Sequence, residues 1–115
     1  MKKKISYLLC SFLLINSISI AQATKKTETI KVYGNCDMCK EKIEGSLKKK
    51  DGIISKRWDS KTLMLSVTYD DSKINIKQIG QKMADVGYDN EHATAKDETY
   101  NKLHHCCQYE RPKKK

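Results

Sequence analysis

Hydrophobic residues recur along the chain in two rhythms, which together predict strands and helices. Residues 63–69 place an apolar side chain on every second position, which is typical of a strand with one buried face. In two other segments the apolar residues recur every three or four positions, as on the buried face of an amphipathic helix. The pattern predicts strands at 29–33, 53–58, 63–69 and 89–95 and helices at 39–50 and 76–86.

The order of these elements predicts an α+β domain. Two right-handed strand-helix-strand units of this length interleave into a ferredoxin-like βαββαβ sandwich, a four-stranded antiparallel sheet with two helices on one face. Polar residues alternate with apolar ones in the third strand, so we expect the other face of the sheet to lie in water. No periodicity is sustained after Ala95.

The first 23 residues have the features of a secretory signal peptide. Lysines 2–4 precede an apolar run from Ile5 to Ile20, and Ala21-Gln22-Ala23 supplies the small residues that a signal peptidase reads. A retained membrane anchor is the alternative, but Ser and Asn residues interrupt the run. We therefore expect a signal peptide at 1–23, a domain at 24–95 and a basic tail containing Cys and His at 96–115. The mature protein would be periplasmic or secreted, without stable membrane insertion.

The formal charge of +9 does not indicate a nucleic-acid partner. Residues 28–95 hold 12 basic and 11 acidic side chains, so the surplus of positive charge lies in the flanks. No basic face with interleaved aromatic residues is visible. The lysines at the two ends are instead typical of solvated tails.

Two cysteines separated by two residues are the strongest chemical signal in the chain. Cys36 and Cys39 lie between the first predicted strand and the first predicted helix, where two thiols can converge on one soft cation. The positive end of the helix is expected to lower the pKa of a thiol there. A site with two sulfurs suits Cu(I) or Hg(II), whereas Zn(II) would need two more ligands. A structural disulfide or a redox pair is the alternative.

These features resemble the heavy-metal-associated domain family, which includes copper chaperones, domains of copper-transporting ATPases and a periplasmic mercury-binding protein. The resemblance covers residues 28–95 and rests on Val32-Tyr33-Gly34, the two cysteines, Asp51-Gly52-Ile53, Val67-Thr68-Tyr69-Asp70 and Val86-Gly87-Tyr88. It implies that Cys36 and Cys39 hold one Cu(I) or Hg(II) ion. It also implies that Tyr88 shields the metal loop.

The resemblance further implies a monomeric carrier, not an enzyme. Such a carrier passes its ion by thiol exchange to a donor or acceptor protein such as a metal-transporting ATPase. Lys40 and Lys42, beside the loop, could dock an acidic face of that partner.

The loop departs from the family pattern at one place. The family usually carries Met-Thr between the glycine and the first cysteine, where this chain has Asn35 alone. Met38 stands directly before Cys39 instead, and we expect it to pack under the loop or, less commonly, to offer its thioether.

A second set of metal-binding side chains lies in the tail, at His104-His105-Cys106-Cys107. Imidazole and thiolate both bind transition metals, so these residues could form an auxiliary site or fold back to complete the first one. Alternatively, one or both tail cysteines pair with Cys36 or Cys39 as disulfides.

Two other functions compete with metal delivery. A thiol-disulfide redox protein would use Cys36 and Cys39, but the only proline, Pro112, lies in the tail and cannot serve as the active-site proline of a thioredoxin-type fold. A zinc-stabilised structural domain would join these two cysteines to the tail cluster. No serine triad, phosphate-binding glycine loop or paired-carboxylate site is apparent, which disfavours hydrolases and nucleotide enzymes.

Overall fold

A computed structural model describes residues 24–113 of the chain. Within that range it contains strands β1 (Lys25–Lys31), β2 (Ile53–Trp58) and β3 (Met64–Asp70), α-helices α1 (Asp37–Gly45), α2 (Ile76–Asp85) and α3 (Asp97–Asn101), and 3₁₀-helices at Lys49–Asp51 and His105–Cys107. The predicted signal peptide lies outside the described residues. Between residues 24 and 113, no helix is both long and apolar enough to cross a bilayer.

The three strands form one antiparallel sheet with β3 in the middle, in the order β1-β3-β2. Leu65 of β3 pairs with Ile30 of β1 on one side and with Trp58 of β2 on the other. Every second residue of β3 is buried from Leu65 to Tyr69, so the alternation predicted for this strand is confirmed. This register aligns the apolar residues of all three strands on one face.

Helices α1 and α2 supply the other half of the core. Ile43 in α1 and both Ile79 and Met83 in α2 have no exposed surface. Helix α2 begins with a capping box, in which the Asn75 side chain accepts the Gln78 N–H at 2.8 Å and the Gln78 side chain accepts the Asn75 N–H at 2.9 Å. The helices and one face of the sheet enclose a hydrophobic cluster.

Two element boundaries differ from the prediction by four residues or more. Helix α1 ends at Gly45 rather than at Lys50, and the Ser46 hydroxyl donates to the Ile43 carbonyl at 2.8 Å where the helix stops. Strand β1 begins at Lys25, four residues before the predicted start, because its polar first half pairs with β3 through the backbone ladder and through polar side chains such as Thr27 with Thr68. Apolar periodicity carries no signal for such a segment.

The predicted last strand is wrong, since the described chain forms only an isolated bridge there, between Val32 and Asn90. The side chains of Asp89 and Asn90 take hydrogen bonds that a strand ladder would otherwise use. Asn90 Oδ1 accepts the His92 N–H at 2.9 Å, and Asp89 Oδ1 accepts the Ala95 N–H at 2.7 Å. The sheet therefore has three strands in the described part of the chain, within an α+β fold.

The residues after Ala95 fold back onto the domain. Leu103, Cys107 and Tyr109 are 7%, 0% and 2% exposed, and all three belong to the hydrophobic core. No periodicity in the sequence predicted this packing, which places the tail beside the loop between β1 and α1.

Candidate metal centre

Cys36 and Cys39 are positioned by the junction of β1 and α1. Cys36 is the extended residue immediately before the helix, and Cys39 lies in its first turn. Their sulfur atoms are 3.6 Å apart. Gly34 allows the loop to approach the core, because a Cβ there would lie 3.0 Å from the Trp58 ring. The Trp58 indole is itself fixed by a 2.9 Å hydrogen bond from its Nε1 to the Val32 carbonyl.

The two thiols have opposite ionisation properties. Burial raises the pKa of Cys39 to about 11, and its thiol donates to the Asn35 side-chain oxygen at 3.1 Å. Burial also acts against ionisation of Cys36, but the backbone N–H groups of Cys39 and Met38 favour its thiolate and hold the pKa of Cys36 below its ordinary value. The expected effect of the helix end therefore acts on Cys36, and for Cys39 the prediction is wrong because burial dominates.

The tail brings a second pair of thiols to Cys36. The sulfurs of Cys36, Cys106 and Cys107 all lie within 4.8 Å of one another. Those of Cys106 and Cys107 are 3.9 Å apart, and all four cysteines of the described residues are free thiols. The tail therefore folds back on the metal loop, as both a shared metal site and a disulfide with Cys36 would require.

The remaining predicted ligands lie at the edge of the four sulfurs. Cys106 Sγ is 3.6 Å from the Met38 sulfur and 3.5 Å from Nδ1 of His104. Met38 is 39% exposed, so it lies at the rim of the loop and does not pack under it as we expected. His105 is exposed and outside the thiol group found among residues 24–113.

Tyr88, for which the family resemblance implies a shielding role, is buried beside the thiols of Cys39 and Cys107. Its side chain has no exposed surface, and its ring stacks on Tyr109 with centroids 5.7 Å apart. Within the described residues its hydroxyl has no hydrogen-bond partner. Burial, together with the neighbouring thiols of Cys39 and Cys107, raises the pKa of Tyr88.

Sequence reasoning missed the residues that hold the tail. The Tyr109 hydroxyl donates to the Gly87 carbonyl at 2.7 Å and accepts the Asp89 N–H at 2.8 Å. Arg111 binds the Asp89 carboxylate through Nε at 2.8 Å and Nη2 at 2.9 Å. The available signal was the presence of Leu103 and Tyr109, two large apolar residues in an otherwise polar tail.

Comparison with known proteins shows a family and individual proteins to which this chain is similar. The model of the heavy-metal-associated domain family matches residues 29–89. The chain is 36% identical over 63 residues to the copper chaperone CopZ of Staphylococcus aureus (strain MRSA252), a match covering 54% of this chain and 93% of that protein.

Solved structures show the same likeness. The CopZ metallochaperone has a TM-score of 0.54 at 35% identity and covers 56% of this chain and 98% of its own. Oxidized MerP from Ralstonia metallidurans CH34 has a TM-score of 0.55 at 26% identity and covers 59% and 96%. Because the family match ends at residue 89, Cys106 and Cys107 lie outside it.

Proposed function

The chain belongs to the heavy-metal-associated domain family, and we propose that it captures a soft metal ion through Cys36 and Cys39 and delivers it to a partner protein. Cu(I) is the proposed ion, with Hg(II) as the second candidate. The observation that carries the proposal is the pair of free thiols 3.6 Å apart at the start of α1. Thiolates select such thiophilic ions over Mg²⁺ and Ca²⁺.

The difference between the two thiols suggests an order of capture. Cys36 is partly exposed and favours the thiolate, so it meets the incoming ion first. Cys39 is buried and protonated at neutral pH, and it binds as the ion displaces its proton to solvent. Transfer runs in reverse, with a thiolate of the acceptor replacing one cysteine at a time.

The acceptor would be a protein with soft ligands of its own, and a metal-transporting ATPase is our candidate. Lys42 is exposed on α1 and available to an acidic partner. Lys40 is less available than expected, because its ammonium donates to Glu44 Oε2 at 2.6 Å and to the Trp58 carbonyl at 2.8 Å. We therefore assign docking to Lys42 and a structural role to Lys40.

The proposed site of action is the periplasm or the exterior of the cell, and the proposed role is that of a carrier rather than an enzyme. Support comes from the lysines and apolar run of residues 2–20 followed by Ala21-Gln22-Ala23. Cell fractionation with a C-terminal epitope checks the location: we expect the shortened protein in the periplasmic or medium fraction. Full-length protein in the cytoplasm would contradict it.

Anaerobic competition for Cu(I) against a chromophoric chelator tests the function. We expect the protein to take one Cu(I) from the chelator and the Cys36→Ser/Cys39→Ser variant to take none. The matched variant Cys106→Ser/Cys107→Ser should still bind one Cu(I) if the first pair suffices. Unchanged Cu(I) binding after loss of Cys36 and Cys39 would overturn the proposal.

A further inference from the structure

Cys106 and Cys107 place their sulfurs beside that of Cys36, although both residues lie outside the segment that the family match covers. We propose that Cys36, Cys39, Cys106 and Cys107 form one four-thiolate site. This proposal rests on the proposed function, in which the first two of these cysteines bind metal. The ligand of the site is a thiophilic divalent cation that prefers four sulfurs, of the zinc and cadmium class. The tail thus contributes half the donors of a site that Cu(I) would use only in part.

The spacing of the sulfurs within each cysteine pair fits this coordination. In a tetrahedron with metal–sulfur bonds of about 2.3 Å, neighbouring sulfurs stand about 3.8 Å apart. The two measured pairs, Cys36 with Cys39 at 3.6 Å and Cys106 with Cys107 at 3.9 Å, lie on either side of that length. Two sulfurs on opposite sides of one ion would stand about 4.6 Å apart at the same bond length. Across the pairs, Cys36 lies within 4.8 Å of both tail sulfurs, whereas Cys39 lies outside that group of three and must move towards it when four sulfurs bind one ion.

The protein holds the tail thiols in place before any ion arrives. Cys107 has no exposed surface, and the flanking residues Leu103 and Tyr109 are buried in the core. Hydrogen bonds from Tyr109 and Arg111 tie the chain beyond the thiols to residues 87–89. A site whose ligands are already assembled avoids the entropy cost of ordering them on binding.

The hydroxyl of Tyr88 gives an independent indication of a ligand. It is fully buried and lacks a hydrogen-bond partner in the described residues, an arrangement that costs free energy in the metal-free protein. The thiols of Cys39 and Cys107, one from each pair, interact with it. When a cation converts these thiols to thiolates, the hydroxyl gains a negatively charged acceptor.

The charge of the site favours a divalent ion. Four thiolates carry four negative charges. A divalent cation leaves the site with a net charge of about −2, whereas a monovalent cation leaves about −3. Soft sulfur ligands in a tetrahedral arrangement are typical of zinc sites, in which all four positions are protein ligands. His104 Nδ1 is near Cys106 alone, so we assign it no direct role in this site.

Titration with Co(II), followed by displacement with Zn(II), tests the proposal in the reduced protein under nitrogen. We expect one Co(II) per chain with the strong sulfur-to-cobalt charge-transfer absorption and visible bands of a tetrahedral tetrathiolate. One equivalent of Zn(II) should abolish them. Loss of an outer-shell partner costs metal sites roughly 10–100-fold in affinity, so Cys106→Ser/Cys107→Ser should lower Zn(II) affinity by more than that.

The matched variant is His105→Ser, which changes the exposed residue next to Cys106 and leaves every thiol and His104 in place. It should keep the cobalt spectrum and bind Zn(II) within about threefold of the wild type, because this imidazole is not a ligand. An unchanged spectrum and Zn(II) affinity in Cys106→Ser/Cys107→Ser would overturn the four-thiolate site. So would loss of both in the histidine variant.

The Cu(I) competition distinguishes failure of the four-thiolate site from failure of the proposed function. If Cys106→Ser/Cys107→Ser loses Zn(II) but still takes one Cu(I), both proposals hold. If that variant retains both ions, only the four-thiolate site fails. If Cys36→Ser/Cys39→Ser still takes Cu(I), the proposed function fails whatever happens with Zn(II).

Discussion

Arg111 donates two parallel hydrogen bonds to the carboxylate of Asp89, from Nε at 2.8 Å and from Nη2 at 2.9 Å. The Asp89 side chain is 4% exposed and that of Arg111 is 19% exposed, so this ion pair is largely shielded from water. Arg111 also donates to the Ala95 carbonyl at 2.6 Å and lies over the ring of Tyr100. One side chain thus fastens the end of the tail to the domain that carries the metal loop.

Replacing Arg111 should loosen the tail. Arg111→Ala leaves the Asp89 carboxylate buried without its partner, and breaking such a pair costs about 3 kcal/mol or more. For a domain of this size we expect the midpoint of thermal unfolding to fall by roughly 10 °C or more. Alkylation of the buried Cys107 thiol, followed by mass spectrometry, should become faster.

Arg57 provides the control for this change, because it is an exposed arginine on β2. Arg57→Ala should leave both the unfolding midpoint and the alkylation rate of Cys107 near the wild-type values. Equal effects of the two substitutions would show that Arg111 does not fasten the tail.

The Tyr109 hydroxyl should contribute to stability through its two buried hydrogen bonds. Tyr109→Phe removes the donor to the Gly87 carbonyl and the acceptor of the Asp89 N–H, leaving both backbone groups unpaired. We expect a loss of about 1–3 kcal/mol in the free energy of unfolding, measured with urea. Tyr33→Phe, on a partly exposed ring, is the control and should change that free energy by less than about 0.5 kcal/mol.

Tyr88→Phe should act in the opposite direction on the metal-free protein. The Tyr88 hydroxyl is buried without a partner in residues 24–113, so its removal should leave the free energy of unfolding unchanged or raise it by about 1 kcal/mol. The same change should weaken Zn(II) binding, because the thiolates lose a donor. Urea unfolding without metal and Zn(II) competition measure the two effects. A destabilised metal-free variant with unaltered Zn(II) affinity would contradict this role.

Glu44 should make folding sensitive to acid. Partial burial acts against its ionisation, but hydrogen bonds from the Lys40 ammonium and the Trp58 N–H hold the pKa of Glu44 below its ordinary value. A carboxyl whose pKa is lower in the folded state stabilises the fold above its unfolded pKa, and this contribution disappears as the pH falls through the folded pKa.

The substitution Glu44→Gln should therefore destabilise the protein by roughly 1 kcal/mol at pH 7 and by progressively less as the pH falls below about 4. Thermal unfolding between pH 3 and 7 measures the difference from the wild type. Glu41→Gln, an exposed position on the same helix, should show no such trend. A constant difference for Glu44→Gln across this range would contradict the assigned ionisation.

The parts of the fold that could be predicted are those in which burial follows a period. Strand β3 and helix α2 were predicted within one residue at each end, because their apolar side chains line a single face. The last strand was wrong because Asn90 hydrogen-bonds backbone groups with its own side chain, which no hydrophobic pattern records.

The candidate site, too, could be predicted from the sequence only in part. The pair Cys36 and Cys39 was apparent from spacing and from its place before a helix. The approach of Cys106 to Cys36 joins residues 70 positions apart and depends on Leu103 and Tyr109, whose burial follows no helical or strand period. The sequence could therefore offer the joined thiols only as one hypothesis among several.

X-ray absorption spectroscopy of the metal-loaded protein shows directly whether thiolates of this cluster hold a soft metal ion. We expect a first shell made only of sulfur for Cu(I), which disappears in Cys36→Ser/Cys39→Ser. For Zn(II) we expect four sulfurs at about 2.3 Å. A first shell of nitrogen or oxygen around Cu(I) in the wild-type protein would show that the thiolates do not hold the ion.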